Sequence, residues 1–116
     1  MSYDEPSDPG RLAVTVERDA DTVVLRLDGE LDLGTSPRFG SRLVEVEDEG
    51  SLVVVDLRRV TFIDSSGIAQ LLGAHRRARR RGVRFLAVRT PQTPVAQILT
   101  MTALEGTFET ADLPPA

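Results

Sequence analysis

The sequence predicts an α/β fold: one domain with a mixed β-sheet of four to five strands and about three helices packed against it. Three observations predict it. Leu12, Val14 and Val16 alternate with Ala13, Thr15 and Glu17, and Val23, Leu25 and Leu27 alternate with Val24, Arg26 and Asp28, the pattern of half-buried strands. Leu52-Val53-Val54-Val55 is a short continuous apolar run, the pattern of a strand covered on both faces. Ile68, Leu71, Leu72 and His75 recur at helical spacing. The chain has 116 residues, the size of one domain, and 41% of them are hydrophobic. Aromatics make up only 4% and Trp is absent, so the core must be aliphatic.

The elements follow in order. Residues 1–11 begin Met-Ser-Tyr-Asp-Glu-Pro-Ser-Asp-Pro-Gly, polar, acidic and proline-containing, and read as a disordered N-terminal tail. The domain is expected over 12–110. Arg18-Asp19-Ala20-Asp21 between the first two strands is short and polar, so a hairpin is expected. Residues 29–34 read as a loop, and Ser36-Pro37 as a helix start with proline at the first helical position. Phe39, Leu43 and Val46 would be that helix's buried face. Glu45, Glu47, Asp48 and Glu49 crowd its C-terminal end, which opposes the helix dipole, and read as a solvated acidic end. The third strand is expected over 52–56. The second helix is expected from about Ser66 to Arg81, stopping at Gly82. Val83, Phe85 and Ala87 mark a fourth strand. Thr93-Pro94 opens a third helix with Val95, Ile98 and Leu99 buried, and Thr107-Phe108-Glu109 reads as a weak last strand. Residues 111–116 are expected to be a C-terminal tail.

Composition excludes several kinds of chemistry. No cysteine is present, which removes disulfides, thiol catalysis and cysteine-based metal sites. No long apolar run suggests a membrane span, and no signal peptide is visible, so a cytoplasmic protein is expected. A net charge of −4 argues against nucleic acid as a direct partner. All 14 basic residues are arginine, which excludes a P-loop or any catalytic lysine. No phosphate cradle or cofactor box is visible, and no cofactor or metal is expected.

The stretch Thr61-Phe62-Ile63-Asp64-Ser65-Ser66-Gly67-Ile68 opens a helix after a buried strand. A helix start presents free N–H groups and partial positive charge, which favours an acceptor oxygen or a phosphate. On local grounds alone, Asp64 or Ser65 is an N-cap. If the second and third strands are parallel, a right-handed crossover brings Asp32 and Thr35 to the same sheet edge as Ser65, where ligands of α/β sheets tend to sit.

Val54-Val55-Asp56-Leu57, a four-residue connection, and Phe62-Ile63-Asp64-Ser65-Ser66-Gly67-Ile68 together resemble the STAS family, the domain of bacterial anti-sigma factor antagonists. Leu27-Asp28-Gly29-Glu30-Leu31-Asp32 resembles the family's Gly-Glu-Leu-Asp box, and Pro94 to Phe108 its penultimate helix and last strand. The family usually has one more C-terminal helix, which Pro114 and Pro115 oppose here.

The resemblance implies a protein that binds, rather than an enzyme. It implies Ser65 as a phosphorylation site, with Ser66 as the adjacent possible misassignment. Unphosphorylated, the protein would bind an anti-sigma factor that is itself a serine kinase and so free a sigma factor. A metal-dependent serine phosphatase would reset Ser65. Asp64 and Gly67 are expected to shape the loop, and Asp32, Thr35, Asp64, Ser66 and Gly67 to form the partner surface of a monomer.

Rival chemistries fare worse. His75, the sole histidine, lies ten residues from Ser65, about 15 Å along a helix, too far to act as its base. The Gly-x-Ser-x-Gly elbow is missing. His75 shares the apolar face and reads as a packed or edge histidine. Asp56 at a strand end resembles the acceptor of response-regulator receivers, but the acidic pair and late lysine of that family are absent. Arg76, Arg77, Arg79, Arg80 and Arg81 read as a solvated helix face that complements the dipole. Two alternatives stand beside the switch: a non-switching STAS scaffold subunit of a signalling complex, which predicts self-association, and a ligand pocket at the Asp32/Ser65 edge.

Overall fold

The computed structural model describes residues 11–102 and 108–116. Residues 1–10, and Thr107 of the expected last strand, lie outside the described residues. Five strands form one sheet in sequence order: β1 (Leu12–Asp19), β2 (Thr22–Leu31), β3 (Leu52–Ile63), β4 (Arg84–Arg89) and β5 (Glu109–Asp112). Three helices connect them: α1 (Ser36–Val46), α2 (Ser65–Arg81) and α3 (Pro94–Thr102). The expected mixed sheet with three helices is therefore present.

β1 and β2 form an antiparallel hairpin that turns at Ala20, which takes φ 52°. β2, β3, β4 and β5 run parallel to one another. Phe39, Leu43 and Val46 of α1, Leu71, Ala74 and Ala78 of α2, and Val95 and Leu99 of α3 join one core cluster with Leu25, Val53, Val55, Phe85 and Ala87 of the sheet. Each fully buried Leu or Phe contributes about 1.5–3 kcal/mol of burial, so this aliphatic face is what docks the helices.

The expectation that β3 is covered on both faces needs correction. Val24, Val54 and Leu86 are paired across three strands on the opposite face and are only half-buried. Next to them Asp56 is 5% exposed, closed over by Arg26 (2.8 Å) and Arg58 (2.9 Å). Burial would push the Asp56 carboxyl up, but hydrogen bonds from Arg58 and the charges of Arg58 and Arg26 hold it below the ordinary range. An ion-pair network, not a helix, covers that side.

Other expectations shift as well. β3 does not end at Asp56 but runs on to Ile63, and β2 runs through Gly29 to Leu31, so neither stretch is a loop. The two extensions pair with each other (Leu31 opposite Ile63) after two register shifts. The acidic end of α1 is solvated at Glu45, Asp48 and Glu49 as expected, but not at Glu47, and it is paired with cations. Glu47 is 7% exposed and accepts from Arg77 Nε at 2.8 Å, Asp48 pairs with Arg81, and Glu49 pairs with Arg18. The cations of α2 thus offset the unfavourable dipole of α1. In α3, Val95 and Leu99 are buried as expected, but Ile98 is half-buried. The last strand lies later than expected and takes in Ala111 and Asp112. Residues 113–116 form no helix; Leu113 N donates to Arg89 O (2.9 Å) and Arg58 Nη1 to Pro114 O (3.1 Å).

Candidate functional site

Two chain turns meet at the C-terminal edge of the parallel strands. One joins β2 to α1 and the other joins β3 to α2. Asp64 is the N-cap of α2: its backbone is extended, and its Oδ1 accepts from Ser66 N (2.9 Å) and Gly67 N (3.3 Å). This satisfies two of the free amides that every helix start leaves open. At the other end of the helix Gly82, at φ 72°, closes the turn in the left-handed region, as expected.

Ser65 and Ser66 differ sharply. The Ser66 hydroxyl donates to Asp64 Oδ1 and lies 3.0 Å from the Ser36 hydroxyl. With its own proton committed to Asp64, Ser66 accepts from Ser36, so a hydroxyl chain ties the start of α1 to the start of α2. Ser65 is exposed at the first position of α2, and its side chain has no hydrogen bond among the described residues.

Asp32 holds the first turn. Its Oδ1 accepts from Gly34 N (2.9 Å) and Thr35 N (3.1 Å), and its other oxygen pairs with Arg11. Burial would raise the Asp32 carboxyl, but Arg11 and the two amides outweigh it and keep it below the ordinary carboxylate range. Thr35 is 3% exposed. Its hydroxyl donates to Glu30 O (2.8 Å) and accepts from Asp32 N (3.0 Å), so it anchors the turn from inside.

The two turns are locked together. Asp64 N donates to Leu31 O at 3.2 Å. Gly67 is buried against the ends of both strands: a Cβ there would lie 2.7 Å from Leu31 Cγ and 2.9 Å from Ile63 Cγ1. Only a residue without a side chain lets α2 start this close to the sheet. The Asp64 carboxyl is held below the ordinary range first by the Ser66 hydroxyl and then by the Ser66 and Gly67 amides, while the nearby Asp32 charge pushes it up. Asp64 Oδ2 has no partner among the described residues, so the site presents an unneutralised carboxylate oxygen beside Ser65.

The parallel crossover therefore brings Asp32, Thr35, Asp64, Ser65, Ser66 and Gly67 to one edge. Sequence reasoning missed four contributors. Arg11, which neutralises Asp32, and Ser36, which holds Ser66, carry no signal readable from their own positions. Leu33 (77% exposed) and Phe62 (49% exposed) flank the acids, and an apolar residue set between Asp32 and Gly34 was the available clue. His75 is packed as expected, edge-on to Phe85 and Phe108 at ring separations of 6.2 and 6.3 Å.

The family model described as the STAS domain matches residues 13–113, which takes in both turns and the five strands save Leu12 at the start of β1. The chain belongs to the STAS family. It is 30% identical over 95 residues to the anti-sigma F factor antagonist of Paenibacillus polymyxa, covering 80% of each chain. It is 35% identical over 66 residues to the anti-sigma-B factor antagonist of Listeria monocytogenes, a match that spans 56% of this chain and 58% of that protein. The crystal structure of an anti-sigma factor antagonist from Mycobacterium paratuberculosis superposes with a TM-score of 0.77 at 24% identity, covering 90% of this chain and 89% of that one. Homologues and fold neighbours of this STAS protein are thus anti-sigma factor antagonists. Among its described residues, no helix is long and apolar enough to cross a membrane.

Proposed function

We propose that this STAS protein is an anti-sigma factor antagonist switched by phosphorylation of Ser65. Unphosphorylated, it binds an anti-sigma factor that is also a serine kinase, and a sigma factor is released. The kinase then phosphorylates Ser65 and ends the complex, and a metal-dependent phosphatase resets it. The protein acts in the cytoplasm as a monomeric binding partner, without chemistry of its own and without touching nucleic acid or membrane.

The observation that carries this reading is the exposed, unbonded Ser65 hydroxyl at the first position of an aspartate-capped helix. It also favours Ser65 over Ser66, whose hydroxyl is enclosed between Ser36 and Asp64. A phosphate adds about −1.5 to −2 charges and three acceptor oxygens. The helix start favours that charge, so the domain stays folded. Asp64, whose Oδ2 has no partner among the described residues, already makes the edge acidic, so the phosphate acts outward, by repulsion and bulk at the partner surface. Asp32, Asp64 and Ser66 form that surface, and the buried Thr35 and Gly67 hold its shape.

The test begins with affinity capture from native lysate and identification of the captured kinase. Titration calorimetry then uses that purified kinase. Ser65→Ala binds it as the wild type does. Ser65→Asp loses at least about tenfold in affinity, about 1.4 kcal/mol, with a melting temperature within about 3 °C of wild type. Equal affinity for both variants would point to the scaffold role, and an unfolded Ser65→Asp would contradict the outward mechanism.

A further inference from the structure

Arg76, Arg79 and Arg80 line a shallow depression on the outer face of α2. Among the described residues they are the arginines with no hydrogen bond or ion pair. Their helix neighbours Arg77 and Arg81 are taken up by Glu47 and Asp48. Elsewhere every arginine has an acidic or carbonyl partner, from Arg18 with Glu49 to Arg84 with Glu109 and Arg89 with Asp112. On a chain of net charge −4, three cations are thus uncompensated among the described residues, within about one helical turn. Their mutual repulsion at spacings of three and four residues opposes the helix. The C-terminal dipole offsets this for Arg79 and Arg80 in the last turn, but Arg76 lies before it. The charges are felt locally: after burial, Arg79 and Arg76 are what push the His75 imidazole below its ordinary value.

We propose that this face docks an acidic helical segment of a partner protein, with carboxylates spaced three and four residues apart to meet the three guanidiniums. Arginine binds carboxylates through two parallel N–H donors, which suits this match. Among the described residues the exposed large hydrophobic ones are Leu33, Val44, Phe62, Met101 and Leu113, none of them on α2, so α2 itself offers no apolar wedge for a lipid surface. Nucleic acid binding needs cations that follow several phosphates, and this cluster is only about 6 Å long on an acidic chain. Arg76 lies about 16 Å along the axis from Ser65, so the docking face is separate from the switch and stands without it.

The test uses the full chain and a fluorescent helical peptide of roughly 15 residues carrying glutamates at that spacing. Anisotropy is read at about 50 and 200 mM salt, with duplex DNA and phosphatidylserine vesicles as competing probes. The peptide binds the wild type and weakens as salt rises. The Arg76→Gln/Arg79→Gln/Arg80→Gln variant weakens it at least about tenfold. Arg59→Gln, a surface arginine paired with Asp28, changes it less than about twofold. The proposal is overturned by no binding at low salt, by equal binding to the triple variant, or by tighter binding of the DNA or the vesicles.

Discussion

Replacing Gly67 by alanine tests whether the start of α2 is seated on the ends of β2 and β3 as described. The added Cβ would lie 2.7 Å from Leu31 Cγ and 2.9 Å from Ile63 Cγ1, whereas ordinary contact begins near 3.4 Å. Both neighbours are branched side chains buried in the core, 0% and 3% exposed, and protein cores are close-packed. A displacement of about 0.7 Å in a packed core costs about 1–3 kcal/mol. Removing a helical glycine returns about 0.5–1 kcal/mol. The net loss therefore lies between about zero and about 2.5 kcal/mol, centred on about 1 kcal/mol, or a fall of about 0.5–1 M in the urea midpoint at an unchanged slope. Gly73→Ala is the internal control. Its Cβ would meet only Arg77 Nη1, at 3.4 Å, so the same propensity gain appears alone and the midpoint rises. A Gly67→Ala midpoint equal to or above that of Gly73→Ala would refute this packing of the helix start.

Three further outcomes follow from other parts of the molecule. Thr35→Val removes the hydroxyl that serves Glu30 O and Asp32 N; it costs about 1–3 kcal/mol in urea unfolding and speeds hydrogen exchange at the Asp32 amide. Glu47→Ala strips the carboxylate from Arg77, whose Nη2 is already buried without a partner; unfolding shows a loss of about 2–3 kcal/mol. His75 has its pKa lowered by burial and by Arg79 and Arg76, so the unfolded chain binds more protons than the folded one as pH falls through about 6.5. Stability is then full above that value and declines below it, and His75→Phe flattens the decline in melting temperature between about pH 7.5 and 5.5.

How much was readable in advance depended on whether the cause was local. The hairpin, the Leu52–Val55 strand and the Gly82 stop are decided within a few residues, and each appeared where the sequence placed it; of the two cap candidates, Asp64 and Ser65, the structure takes Asp64. The extension of β3 was hidden because Arg58, Arg59 and Thr61 look like loop residues. Pairing of Arg59, Val60, Phe62 and Ile63 with Asp28 to Leu31 makes the stretch a strand. The same holds for the acidic end of α1, whose partners Arg77 and Arg81 lie about thirty residues on. β5 carries no buried alternation in Glu109–Asp112, so its position is set by β4 alone. At the site, the resemblance and the crossover placed both turns on one edge. The division of labour between Ser65 and Ser66 rests on Ser36, thirty residues away, and no local pattern reveals it.

The most direct measurement of the central claim is peptide mass spectrometry on the protein recovered from its native cells, growing and stressed. Phosphate is expected on Ser65, none on Ser66, with an occupancy that changes between the two conditions. Phosphate on Ser66, or an unmodified Ser65 in every condition, would contradict it.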